Sequence, residues 1–279
     1  TFWHQPTQNQ TSVYCVKFID REGPTYGYNG QTRPAKYGSM TNTNGFPVLR
    51  YAEVVLNWIE AKAELGSVTD ADLNASINAI RQRPLDAEAI AKGVQKTAPL
   101  TMAMVNADAD PIRVSAPYQA THSGPCSPLL WEIRRERRME FFMEQVRTID
   151  IRRWGWLELM NASVNPDLQY GCWMDFNDTP NNHKPYNLLT AANFGVVGVM
   201  KENGTVVMFE GTADEKGNIL SSNAADMVGF RVVQNYKDRV PMEYKHYLEP
   251  ICTDIVDEYT QKNSTMPDVV QPIQQNPGW

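Results

Sequence analysis

From Leu49 onward, apolar residues recur at intervals of three and four: Leu49, Ala52, Leu56, Ile59 and Ala63. That spacing lines one face of an α-helix. Arg50, Glu53, Asn57, Glu60 and Glu64 form a polar stripe beside it. Pro47 suits a first helical position, where its missing N–H costs nothing, and Gly66 suits the left-handed residue that ends a helix. A second helix starts at once, with Thr69 as its cap and Asp72 three residues on as an imperfect capping box. Leu73, Ile77 and Ile80 form its apolar face and Pro84 ends it. So short a connection predicts an antiparallel αα-hairpin, the building unit of tetratricopeptide-like arrays, although one hairpin does not establish an array.

The pattern is weaker on either side. Residues 1–45 are rich in Gly, Asn, Gln, Thr, Pro and Tyr and read as loops with short extended pieces such as Val13 to Ile19. From Leu85 to Pro128, Pro99, Pro111, Pro117 and Pro125 mark a long excursion with short Ala-rich helical pieces. A third helical segment runs from Ser127 to Trp156. If that helix is unbroken, Glu132, Glu136, Glu140 and Glu144 share one face, a like-charged row unless Arg135 and Arg137 interleave it. A further helix begins near Asp150. Beyond Gly155 the chain reads as loop again, with Tyr170, Trp173, Phe176, His183 and Tyr186 among Asn, Asp and Pro. Phe194 to Met200 and Thr205 to Glu210 are Val-rich runs around Asn203-Gly204, a hairpin signal, and Val228 to Val233 supplies another strand.

The expected class is therefore mainly α, with helix pairs, long loops and a small antiparallel β element. Its parts are a loop-rich segment over 1–45, a helical scaffold over 46–156, and loops, a small sheet and a tail over 157–279.

Composition narrows the function. A length of 279 residues, 42% of them hydrophobic, suffices for a real core. The net charge of −6 argues against nucleic acid as the partner, and the glutamates largely cancel the field of Arg134, Arg135, Arg137 and Arg138. Four scattered cysteines, Cys15, Cys126, Cys172 and Cys252, form no zinc spacing; two disulfides are permitted and no pairing is readable. His4, His122, His183 and His246 lie far apart, and no nucleophile elbow, P-loop or dinucleotide fingerprint is present. The 32 acidic residues offer no basis for choosing a hydrolytic pair. We expect no catalytic residues, no metal and no cofactor. No apolar run is long enough to span a bilayer.

The loop aromatics carry more information. Sugars present apolar C–H faces on which exposed rings stack while Asn, Asp, Gln and Arg bond the hydroxyls. Trp3, Tyr26 and Tyr28 in the first loop region, and Tyr170, Trp173 and Tyr186 in the later one, are the candidate ligand contacts.

Several segments together resemble the SusD/RagB family. Pro47-Val48-Leu49-Arg50-Tyr51-Ala52-Glu53, with Leu56, Glu60 and Ala61, is similar to its P-x-x-R-x-A-E-x-x-L-x-x-x-E-A helix. Asn78 to Arg83 resembles N-x-x-R-x-R, Ile133 to Phe141 the I-x-x-E-R-x-x-E-F run, and Arg147 to Trp154 the R-x-x-D-x-x-R-W run. Tyr247 to Ile251 resembles Y-L-x-P-I, and Gln275 to Trp279 a closing Q-N-P-G-aromatic. The pieces occur in family order from about Arg33 to Trp279.

The resemblance implies a SusD-like fold with tetratricopeptide-like pairs and a non-enzymatic role. It implies capture of glycans or peptides at the bacterial surface and delivery to a SusC-type TonB-dependent transporter. A Bacteroidetes-type outer-membrane lipoprotein is further implied, anchored through an N-terminal segment that this sequence does not include. The motifs are implied to be scaffold, so no ligand residue carries over from them. The rival reading is a tetratricopeptide-type adaptor for protein segments, and a hydrolase comes third.

Overall fold

The computed structural model describes residues 17–18, 34–37, 45, 47–91, 93–177, 188–232 and 240–279. Two compact units divide the chain, residues 1–46 with 165–239, and residues 47–164 with 240–279. The second unit is helical and the first is built on antiparallel sheets, so the molecule is mixed and the mainly α expectation holds for one unit. Of the extended piece expected at Val13 to Ile19, residues 17 and 18 alone are described, and they form a turn.

In the helical unit, α1 spans Tyr51–Glu64. It starts later than expected, because Arg50 is its extended N-cap and Pro47 precedes the helix. Leu49 is therefore left exposed, while Leu56 and Ile59 are fully buried. Gly66, at φ 71°, ends the helix as expected, and the Ser67 N–H reaches back to the Lys62 carbonyl at 3.2 Å. Thr69 and Asp72 make the capping box, with Asp72 Oδ2 accepting from the Thr69 N–H at 2.9 Å. Hydrogen bonds from Lys62 and then Thr69 hold the Asp72 carboxyl down to about 2.

The second expected helix is broken into α2 (Asp70–Ala75) and α3 (Ile77–Arg81). The hinge is Ser76, fully buried at φ −123° and ψ −95°, whose hydroxyl donates to the Asp72 carbonyl at 2.6 Å. A serine that bonds the carbonyl four residues back competes with the helix and bends it. Three short helices follow in the proline-rich excursion up to Gln119: α4 (Ala87–Ala91), α5 (Met102–Ala107) and α6 (Ala116–Gln119).

Ser127 caps α7 (Pro128–Glu140), with Pro128 in its first turn. The helix stops at Phe141, and left-handed Met143 and Gln145 carry the chain to α8 (Arg147–Arg153). Glu144 is thus off the helix, a correction to the four-glutamate face. One core joins Leu56, Ile59, Leu73, Ile77, Leu100, Val105, Ile133 and Phe141. Another joins Tyr118, Trp131, Ile151, Trp154, Trp156, Leu157 and Leu159. Near the C-terminus, α9 (Thr253–Thr265) was not anticipated; it has no buried residue, so its sequence shows no strong apolar face.

The other unit holds β1 (Tyr170–Asp175), β2 (Gly198–Met200), β3 (Val206–Met208), β4 (Gly211–Ala213), β5 (Ile219–Ser222) and β6 (Val228–Val232). One sheet has the order β1-β6-β2-β3, and β4-β5 form a separate pair. The expected hairpin is present, with Val199 opposite Val207 and Gly204 at φ 81° in its turn. Met174, Phe176, Leu188, Val197, Val199, Phe209 and Met227 form the core.

Candidate functional site

The ion pairs of the helical unit show what the charged residues of the motif segments do. Arg50 grips both oxygens of the Glu144 carboxylate at 2.6 and 2.8 Å and donates to Glu140 at 2.7 Å. Arg83 forks onto Glu140 as well. Arg81 donates to Glu136 at 2.8 Å and to the Ala98 carbonyl at 2.9 Å. Within the same Asn78 to Arg83 segment, the Asn78 amide clips the Leu100 backbone from both sides, at 2.6 and 2.8 Å.

The glutamate row is therefore neutralised mainly by arginines from other segments. Of the two interleaving candidates, Arg135 pairs with Glu132 at 2.5 Å. Arg137 instead turns inward to Asp150, 3.0 Å away. Glu60 takes two bonds from Arg153, at 2.6 and 2.9 Å, and one from the Trp154 indole at 2.6 Å. At the C-terminus, Gln275 clips Ile251 through both backbone groups at 2.7 Å, and the Asn276 amide reaches the Glu249 carbonyl at 2.5 Å. The charged and amide groups of these segments hold one another, which leaves them as scaffold. Beside α1 lies a cleft of about 200 Å³ lined by Asn57, Glu60, Ala61, Glu64 and Arg153. The Glu60 carboxylate and the Asn57 carbonyl there already accept from Arg153 and Arg137.

The ligand-contact candidates lie elsewhere. Trp3, Tyr26, Tyr28 and Tyr186 fall outside the described residues. Tyr170 and Trp173 are described, and both sit on strand β1 rather than in the expected loop. Glycine inside Tyr170-Gly171-Cys172-Trp173 masked the strand, since it interrupts the alternation that a strand usually shows. The glycine has a reason: a Cβ at Gly171 would lie 2.8 Å from both Cβ and the carbonyl oxygen of Arg231.

Residues three apart on a regular strand point to opposite faces. Here the register with β6 shifts between Tyr170 and Trp173. An irregularity of that kind re-aims side chains, and both rings reach Phe230. Tyr170 stacks on Phe230 with centroids 5.6 Å apart and planes at 24°. Trp173 meets it edge-on at 5.0 Å and 86°. Trp173 remains 48% exposed, so it is a supported ring with an open face. The sequence reading missed Phe230; the signal was its place in a Val-rich run that pairs with β1.

Behind this face Arg231 is 1% exposed. Its Nη1 donates to the Gly198 and Val232 carbonyls at 3.2 and 3.0 Å, while Nε and Nη2 have no partner among the described residues. Burial lowers this guanidinium from its ordinary value. Among the described residues no cluster of His, Cys, Asp and Glu could hold a metal ion, and Cys126, Cys172 and Cys252 are unpaired. No described helix is long and apolar enough to cross a membrane.

The sequence pattern of the SusD family matches residues 4–279. No curated protein and no solved structure matches the chain. SusD family proteins are binding rather than catalytic, typically associated with the outer membrane, and generally take nutrients such as glycans together with SusC-type transporters. The match spans nearly the whole chain, so this chain belongs to the SusD family.

Proposed function

We propose that the protein captures glycans at the cell surface without cleaving them and hands them to a SusC-type TonB-dependent transporter. The observation that carries this reading is Trp173, half-exposed on a strand and backed by Phe230. An aromatic ring braced edge-on by a second ring and half open to solvent suits the C–H face of a pyranose. Its support by a second ring lowers the ordering cost of binding. The polar neighbours needed for sugar hydroxyls are at hand in Tyr170 and Asp175 on the same strand. We place the protein on the outer face of the outer membrane, lipid-anchored as the resemblance implies. The scaffold we read as related to tetratricopeptide-like helix pairs, because α1 and the broken α2–α3 segment share one core through Leu56, Ile59, Leu73 and Ile77.

Calorimetric titration with maltohexaose, cellohexaose, xylohexaose and mannohexaose tests the contact. For a glycan that binds, Trp173→Ala weakens affinity about 3- to 10-fold, the scale of one aromatic contact. Its half-exposed position leaves the unfolding midpoint nearly unchanged. Equal affinity in the variant removes Trp173 from the site.

A further inference from the structure

A second set of rings, in the helical unit, has no part in the site described above. The 3-10 helix Tyr244–Tyr247 brings Tyr244 and Tyr247 to one side, and the loop after α6 brings His122 against them. The His122 ring lies 5.1 Å from Tyr244 and 5.4 Å from Tyr247, and the two tyrosines are 6.1 Å apart. All three pairs are tilted rather than stacked, at 43° to 52°, so together the rings form a shallow dish.

The dish is held rigidly from below. Glu158 Oε2 accepts from the His122 N–H at 3.1 Å and from the Tyr247 hydroxyl at 2.7 Å, tying the two segments to one carboxylate. The Tyr247 oxygen also accepts from the Leu157 N–H at 2.8 Å. Asn161 Oδ1 accepts from the Met242 N–H at 2.5 Å, and His246 Nδ1 accepts from the Glu243 N–H at 2.7 Å. On the loop side, Ser123 donates its hydroxyl to the Trp154 carbonyl at 2.7 Å and its N–H to the Gly155 carbonyl at 3.2 Å. Gly155, at φ 71°, permits that approach, since a Cβ there would lie 1.9 Å from Ser123 Oγ.

Above, the dish is open. Tyr244 is 55% exposed and His122 is exposed. Among the described residues neither the His122 imidazole nor the Tyr244 hydroxyl has a hydrogen-bond partner, while the Glu243 carboxylate caps the 3-10 helix and lies 3.7 Å from Lys245 Nζ. Packing accounts for Tyr247. It does not account for two exposed rings whose supporting backbone is pinned at this many points.

From this geometry we infer that His122, Tyr244 and Tyr247 form a second glycan-contact platform, one that takes a single pyranose ring of an oligosaccharide. The rings meet the apolar sugar face, and the Tyr244 hydroxyl and the imidazole meet hydroxyls at its edge. The inference rests on the glycan-binding reading and extends it to a place that this reading does not need.

The test is a titration of the intact chain with the same four hexaoses, following the ring-proton NMR signals of His122 and Tyr244 and the indole signal of Trp173. The platform predicts saturable shifts of His122 and Tyr244 that persist in Trp173→Ala. In Tyr244→Ala the His122 shift is displaced to about 3- to 10-fold higher glycan concentration. Tyr244→Phe keeps most of the binding and controls for folding. A hexaose that moves the Trp173 signal and leaves His122 and Tyr244 still overturns the platform and leaves the sheet site standing. If no hexaose moves any of the three, both readings fall.

Discussion

Arg137→Ala is expected to lower the unfolding free energy by about 3–5 kcal/mol, the cost of breaking a buried ion pair from one side. Arg137 is 3% exposed, as is its partner Asp150. Its Nε and Nη2 hold the two Asp150 oxygens at 3.1 and 3.0 Å, and Nη1 donates to the Asn57 amide oxygen at 2.6 Å. Glu60 stands 3.8 Å away. Without the fork, Asp150 keeps the Arg153 bond at 2.9 Å but loses its buried partner, and the Asn57 oxygen loses a donor. Lysine should restore little, because one ammonium cannot reproduce the planar fork on the carboxylate. Arg137→Met separates charge from volume, since it retains most of the packing along the stem. Urea unfolding of the three variants reads the difference. A loss below about 1 kcal/mol for Arg137→Ala, the range of an exposed pair, would contradict a structural role for this contact.

Trp156→Ala should cost a similar amount, about 3–5 kcal/mol, for a different reason. Trp156 is 1% exposed, its ring lies 5.0 Å from Tyr118 and 5.4 Å from Trp154, and its indole N–H donates to the Gly124 carbonyl at 3.0 Å. Truncation leaves a cavity and reduces the Gly124 carbonyl to a long bond from the Thr121 hydroxyl, at 3.4 Å. It also removes one of two rings beside the Arg134 guanidinium, which lies 4.5 Å from Trp156 and 4.8 Å from Trp154. Burial lowers the Arg134 guanidinium, and among the described residues its Nε has no hydrogen-bond partner, so the two rings offset part of that cost. A double-mutant cycle of Trp156→Ala with Arg134→Met should therefore show coupling of about 0.5–2 kcal/mol. Additive losses would mean that the contact between guanidinium and ring contributes nothing.

Helix α1 was readable because its apolar stripe at Leu56 and Ile59 follows the helical period. The Thr69–Asp72 box was readable because capping is local. The hairpin at Asn203-Gly204 was readable for the same reason. Breaks that depend on one side chain were not. Ser76 bends its helix by a bond that serine makes only in some contexts, and Met143 and Gln145 adopt left-handed backbone that their types rarely signal.

Pairing across the chain was also hidden. That Glu60 answers Arg153, and Arg81 answers Glu136, depends on tertiary placement some 50 to 90 residues away. For the candidate site, Trp173 and Tyr170 were picked by residue type alone. Their shared support by Phe230 comes from a register shift, which sequence does not announce. The His122–Tyr244–Tyr247 dish joins segments more than 100 residues apart and left no pattern to find.

Equilibrium dialysis of the intact chain against the hexaose panel, with mass spectrometry on both chambers, tests capture without cleavage most directly. The account predicts that at least one hexaose accumulates saturably on the protein side and is recovered there at full length. Recovery of shortened oligosaccharides, or equal concentrations of all four in both chambers, would contradict it.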